Sequence, residues 1–338
     1  MRTGAANVGV MEWQGLQTWY QVVDGAPDDG SRLPLVICHG GPGLTHDYLL
    51  QITELARSGR SCVFYDQFGN GRSGRRPTAP VEFWTVDLFL RELSGLIGHL
   101  GLAGGFHLLG HSWGGMLALE LAVRRPAGLR SIVVADAFAS SAVYAAEVAR
   151  LVDALPAEVR SAIEHHEAAR TTTSQSYQQA VRAFYTRHVC RKRPLPEGLL
   201  STLAALRSDS TVYEAMAGPS EFSMTGTLRD WDITDRLHLV EVPALLISGR
   251  HDEVTPRAVE QLQRGLPDAR WVLFEESSHM PHVEENGRFI ALVEEFLHQQ
   301  EVLLHNTQLS SLPTRCGKTR EPHQLPVSQA CLDRETHP

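Results

Sequence analysis

No stretch of this 338-residue chain approaches the ~20 uninterrupted apolar residues of a membrane-spanning helix. The N-terminus, MRTGAANVGVMEWQG, likewise lacks a continuous apolar segment of signal-peptide length. Cysteine is scarce. The five residues, at 38, 62, 190, 316 and 331, are odd in number and show no metal-ligand spacing. Cys38 and Cys62 sit inside apolar runs and read as small core residues. That inventory suits a reduced, cytoplasmic protein and argues against a disulfide scaffold. Blocks of basic charge are missing too: the net charge is −8, and Lys and Arg are scattered. The densest patch, RKRP at 191–194, reads as solvated surface, so neither nucleic acid nor membrane is an expected partner.

What is present is ordinary globular composition, 43% hydrophobic and 21% charged, in a chain long enough to bury a large core. Short apolar runs ending in Gly or Asp alternate with helical patterns, the signature of a mostly parallel α/β sheet. The strand candidates are LPLVICHG (33–40), SCVFYD (61–66), FHLLG (106–110), SIVVAD (131–136), ALLISG (244–249) and RWVLFEE (270–276). All are unbroken rather than alternating, as strands covered on both faces should be. Residues 85–100 carry apolar side chains at helical spacing, opened by Thr85 as N-cap, and a second helix is expected over 114–124, before Pro126.

From about 137 to 235 the strand-like runs vanish and consecutive Ala-, Glu- and Arg-rich helical segments replace them. The expected organisation is therefore a core over 1–136 and 236–300, interrupted by a helical cap at 137–235. Such a cap can shut a site away from water. Beyond 300, four prolines and no period suggest a disordered extension over 301–338.

LLGHSWGGMLALELA (108–122) sets Gly110-x-Ser112-x-Gly114 between a strand and a helix. This is a nucleophile elbow, a strained turn that lifts a serine hydroxyl clear of the backbone. A serine needs a base, and the base an orienting acid, in the chain order Ser, acid, His. Asp252 lies just past the 244–249 strand, with Asp136 as the fallback acid. FEESSHMPHVE offers His279 at a loop tip and His282 at the start of a helical pattern, and His279 is the better base. Oxyanion donors are expected from the N–H of Trp113, directly after the nucleophile, and of Gly41 in the Gly-rich turn CHGGPG (38–43). The mechanism calls for no metal or organic cofactor.

Taken together, HGGPG (39–43), DQFGNGRS (66–73), GHSWGG (110–115), GPSEF (218–222) and GRHDEVTP (249–256) resemble the prolyl aminopeptidase (proline iminopeptidase) family, over about residues 10–298. The resemblance implies an α/β-hydrolase fold and a triad of Ser112, Asp252 and His279. Relatives in that family also act as amino-acid amidases. It further implies that Glu221 and Glu253 bind the free α-amino group of the substrate. Without it, Glu253 reads as a loop acid paired with Arg250 or Arg257, and Glu221 as a packing acid. Ser112 argues against epoxide hydrolases and haloalkane dehalogenases, which need a carboxylate at the elbow. The expected partner is a small molecule or short peptide with a free N-terminus. The rival readings are an amidase or esterase acting on another small molecule, and a non-catalytic ligand receptor of the same fold.

Overall fold

The computed structural model describes residues 6–26 and 32–310; the cysteines at 316 and 331 and the rest of the C-terminal segment lie outside the described residues. Its centre is an eight-stranded sheet in the order β1-β2-β4-β3-β5-β6-β7-β8. The strands are β1 (Ala6–Trp13), β2 (Leu16–Val23), β3 (Leu35–Cys38), β4 (Cys62–Tyr65), β5 (Phe106–His111), β6 (Leu129–Ala135), β7 (Ala244–Gly249) and β8 (Ala269–Phe274). From β4 to β8 every pairing is parallel, while β1–β2 and β2–β4 are antiparallel.

The unbroken apolar runs feed two cores at once, because successive side chains of a strand point to opposite faces. In β3, Val36 and Cys38 join one cluster, and Leu35 and Ile37 the other. Ala244 and Leu246 of β7 alternate with Leu245 and Ile247 in the same way. The first face is covered by α1 (Val86–His99), α2 (Trp113–Val123) and α8 (Pro256–Gly265). The second is covered by the helical segment His46–Ser58, by the short α9 (Pro281–Glu284) and by α10 (Asn286–Ser310). The Thr85 side chain accepts a hydrogen bond from Leu88 N–H at 3.2 Å, capping α1.

The β1–β2 hairpin is absent from the sequence-based strand candidates. Its residues alternate in burial, with Val8 and Val10 exposed, so they make no continuous apolar run. Its two-residue turn, Gln14-Gly15, has both φ angles positive (47° and 74°), as a tight hairpin turn requires. Between β6 and β7 the chain leaves the sheet and forms α3 (Ser141–Asp153), α4 (Ala157–Ala169), α5 (Gln175–His188), α6 (Glu197–Ser208) and α7 (Thr211–Met216).

Where an extension was expected from residue 301, α10 instead runs on to Ser310. Glu301 on that helix is a structural residue. It accepts from Arg60 Nη1 at 2.6 Å, Arg60 Nη2 at 3.1 Å and Leu33 N–H at 2.8 Å. The Arg60 side chain is completely buried, and its Nη1 also donates to Leu33 O at 2.7 Å. Burial acts upward on the Glu301 carboxyl, but contacts with His107 and Arg60 outweigh it and hold the group well below the usual carboxylate range. Removing one partner of a buried pair typically costs about 3–5 kcal/mol, because the other charge is left uncompensated. Because Glu294 Oε2 remains 3.6 Å from Arg60 Nε, Glu301→Ala is expected at the lower end, about 3 kcal/mol off the unfolding free energy, read by denaturant titration. Because the folded-state carboxyl is depressed, this contribution is complete at neutral pH and fades as the pH falls below the ordinary carboxylate range. The difference between wild type and variant should shrink accordingly in acid.

Candidate active site

The strand–turn–helix at 106–123 lifts Ser112 out of the sheet. Its φ and ψ of 55° and −123° lie where non-glycine residues are strained. Flanking glycines permit this: a Cβ at Gly110 would lie 2.0 Å from Gly114 O, and one at Gly114 only 2.2 Å from Cys38 O. Trp113 is the first residue of α2, so its N–H has no intrahelical partner. Trp113, Ser112 and Gly41 line one pocket. Gly41 itself adopts φ 114°, a conformation that favours glycine.

His279 comes from the loop between β8 and α9, and Asp252 from the loop after β7. His279 Nδ1 and Asp252 Oδ1 are 2.7 Å apart in the interior. This leaves Nε2 as the free face of the ring, the arrangement a general base needs. Asp136, the fallback acid, does not take the imidazole. It ends β6 with φ 54°, accepts from Gly249 N–H at 3.2 Å and hydrogen-bonds the Asp252 carboxyl. Burial and the neighbouring Asp252 push Asp136 well above the usual carboxylate range, so it is the protonated member and donates to Asp252. Ligand-type atoms of Asp136, Asp252 and His279 lie within 4.8 Å of one another. A cation there would have to displace the bond that orients the imidazole.

A chain of hydrogen bonds with a single possible polarity ties the Gly-rich loop at 38–43 to the loop that carries His279. Gly40 N–H donates to Tyr48 Oη at 2.8 Å, so the hydroxyl proton goes to His111 Nδ1, also at 2.8 Å. His111 Nε2–H then donates to His279 O at 2.7 Å. Burial, with His282 and His279 nearby, lowers the His111 pKa well below the ordinary value, and the neutral ring fits this role. A second chain links the same loop to the elbow. His39 Nε2 accepts from Gln67 N–H at 3.0 Å, Gln67 Nε2 donates to His39 O at 2.8 Å, and Trp113 Nε1 donates to Gln67 Oε1 at 2.7 Å. His282 is a core residue, packed against the rings of Tyr48, His111 and Phe289. Burial lowers its pKa to about 3.

Two further acids reach the pocket. Glu221, in the segment after α7, accepts from Tyr213 Oη at 2.6 Å and from Tyr144 Oη at 3.0 Å. Glu253 is buried, with Oε1 3.8 Å from His279 Nε2 and Oε2 without a hydrogen-bond partner. Burial first, and then the Glu221 charge, push its carboxyl well above the usual range. Neither expected arginine serves it: Arg250 pairs with Glu275 at 2.8 Å, and Arg257 meets Glu147 at 3.5 Å. Apolar lining comes from Met116, Phe138, Met224 and Leu228. Phe184 and Phe222 instead pack edge-to-face on each other, with ring centres 4.9 Å apart. The two tyrosines and this lining lack a motif of their own. Apart from Met116, which follows the elbow on α2, their only signal in sequence is apolar or aromatic character within the helical insertion.

The RKRP patch is tied into the structure. Arg193 donates to Cys190 O and Lys192 O, and Lys192 Nζ to Val283 O.

Comparison with known proteins places this geometry. A family model described as alpha/beta hydrolase fold matches residues 34–286, most of the chain. The proline iminopeptidase of Saccharolobus solfataricus is 36% identical over 270 residues, covering 80% of this chain and 86% of the relative. That of Thermoplasma volcanium is 34% identical over 289 residues, covering 86% and 96%. Among solved structures, the proline iminopeptidase of Mycobacterium smegmatis superposes with a TM-score of 0.84 at 41% identity, covering 88% of this chain and all of the other. VinJ gives a TM-score of 0.84 at 46% identity, covering 87% and 99%. With its parallel sheet, its elbow serine and relatives of this similarity along nearly their whole length, the chain belongs to the proline iminopeptidase family of α/β-hydrolases.

Proposed function

We propose that this protein is a serine aminopeptidase that releases an N-terminal residue, proline or another small apolar one, from peptides or amino-acid amides. The observation that carries the reading is a carboxylate pair, half-buried Glu221 and buried Glu253, lining the same pocket as Ser112 with no arginine or lysine among the described residues bound to either. A substrate ammonium is the cation such a pair lacks. The secondary ammonium of an N-terminal proline has two N–H donors, one for each acid. Internal peptide bonds offer no such charge, so only the first residue of a chain is held. The apolar lining at Phe138, Met116 and Met224 suits its side chain. The names of the relatives point the same way.

In this mechanism the Ser112 hydroxyl attacks the carbonyl while His279 Nε2 takes its proton and Asp252 holds Nδ1. The N–H groups of Gly41 and Trp113 receive the oxyanion. Collapse expels the amine, protonated by His279, and water then cleaves the acyl-enzyme by the same steps. The helices α3–α7 act as a cap over the site, contributing Tyr144 and Tyr213 to hold Glu221. No helix among the described residues is long and apolar enough to cross a membrane. The free, buried Cys38, Cys62 and Cys190 support a cytoplasmic setting.

Release of a chromogenic amine from proline, alanine and leucine anilides, beside their N-acetylated forms, tests the proposal. Acetylation should abolish turnover; equal cleavage of blocked substrates would hand the site to the general amidase or esterase reading. A hydrogen bond to a charged group contributes about 1.5–3 kcal/mol, so Glu221→Ala and Glu253→Ala should each lower kcat/KM by roughly 10- to 150-fold. Asp136 gives a separate test. Asp136→Asn keeps a donor toward Asp252 and should stay within a few-fold of wild type. Asp136→Ala leaves a buried acceptor unpaired, at about 1–3 kcal/mol, and should lower kcat about tenfold or more.

A further inference from the structure

The second acid stands unusually close to the base. Glu253 Oε1 is 3.8 Å from His279 Nε2, the atom that must accept the Ser112 proton, and its Oε2 is buried without a partner. Glu221 faces the same pocket, and Asp252 holds the other side of the ring. The remaining titratable groups around His279 add no compensating cation: Asp136 is the protonated member of its pair, His111 and His282 are neutral rings, and burial lowers the pKa of His188, whose carbonyl accepts from the His279 N–H. Burial alone would lower the His279 pKa, but the charges of Asp252, Glu253 and Glu221 overcome it and raise the value to about 9. Glu253 is raised as well, so the empty site holds a proton between these two groups. On Nε2, that proton occupies the lone pair that the reaction needs. On Glu253, it removes one of the anions that would bind the substrate.

We propose that the substrate's α-ammonium activates the enzyme as well as anchoring to it, by replacing the proton held at His279 and Glu253 and so freeing Nε2 to act as the base. The inference rests on the aminopeptidase reading and extends it. Charge balances: one cation enters between the carboxylates and one proton leaves to solvent. A neutral molecule of the same shape would bind weakly and would also meet an imidazolium. Discrimination against blocked N-termini would then act on the chemical step as well as on affinity.

The test uses a small alkyl fluorophosphonate, which carries no amino group, and follows covalent labelling of Ser112 against pH. In wild type the rate should rise with pH to a midpoint near 9. In Glu253→Gln the midpoint should fall by at least about one unit, making labelling at pH 7 about tenfold faster even as turnover of free-amine substrates falls. Glu221→Gln should move it less, in the same direction; circular dichroism establishes that both variants are folded. A second measurement needs no variant: pyrrolidinium bound to wild type at pH 7 to 8 should release up to one proton per site into weakly buffered solution. Coincident midpoints in folded variants, or pyrrolidinium binding without proton release, overturn the inference. Either failure leaves the aminopeptidase reading standing. Equal cleavage of acetylated anilides sinks that reading and this inference with it.

Discussion

Four carboxyl groups crowd around one imidazole, and among the described residues no lysine or arginine pairs with any of them. That imbalance is the constraint from which the rest of the site follows. Anions gathered in a low-dielectric interior must share protons, accept hydrogen bonds or bind a cation. Each acid here has a different answer. Asp136 keeps a proton, Asp252 holds the imidazole, and Glu221 takes two tyrosine hydroxyls. Glu253 keeps one oxygen unpartnered, as its proposed role of meeting an incoming positive charge requires.

The fold makes this crowding possible by delivering the groups from separate strand ends. Asp136 follows β6, Asp252 and Glu253 follow β7, and His279 follows β8; all are adjacent and parallel, so their C-terminal ends open on the same edge. Ser112 rises from the end of β5, beside them in the sheet. Neutral histidines then serve as connectors. His111, next to the elbow serine, carries a fixed tautomer that reaches the carbonyl of His279, and Tyr48 extends the line back to the Gly-rich loop. Displacement of any one member would leave a buried polar group unpaired.

How much of this could be read in the linear sequence depended on how local the signal was. Strands buried on both faces announce themselves as unbroken runs, and β3 to β7 were legible for that reason; the edge strand β8, only partly buried, still carries an apolar run. The exposed hairpin β1–β2 alternates over a short length and was not. Ser112, Asp252 and His279 each stand in a loop at the end of a recognisable strand, so chain order alone brought them into view. The donors to Glu221 were invisible, because Tyr144 and Tyr213 lie on different helices whose crossing is a tertiary fact. The pairing of Asp136 with Asp252 is likewise set by adjacent strands rather than by any motif. Glu301 was hidden for another reason: the loss of helical signal near 300 reflects composition, while the ion pair that anchors the helix spans 241 positions.

That span has a consequence for the order in which the protein is made. The guanidinium of Arg60 precedes β4, yet the carboxylates facing it, Glu294 and Glu301, lie on α10, after every strand of the sheet. A growing polypeptide that has already emitted the elbow, the insertion and every strand still carries a cation with no neutralising neighbour. The second face gains its internal charge pair only when α10 packs against it.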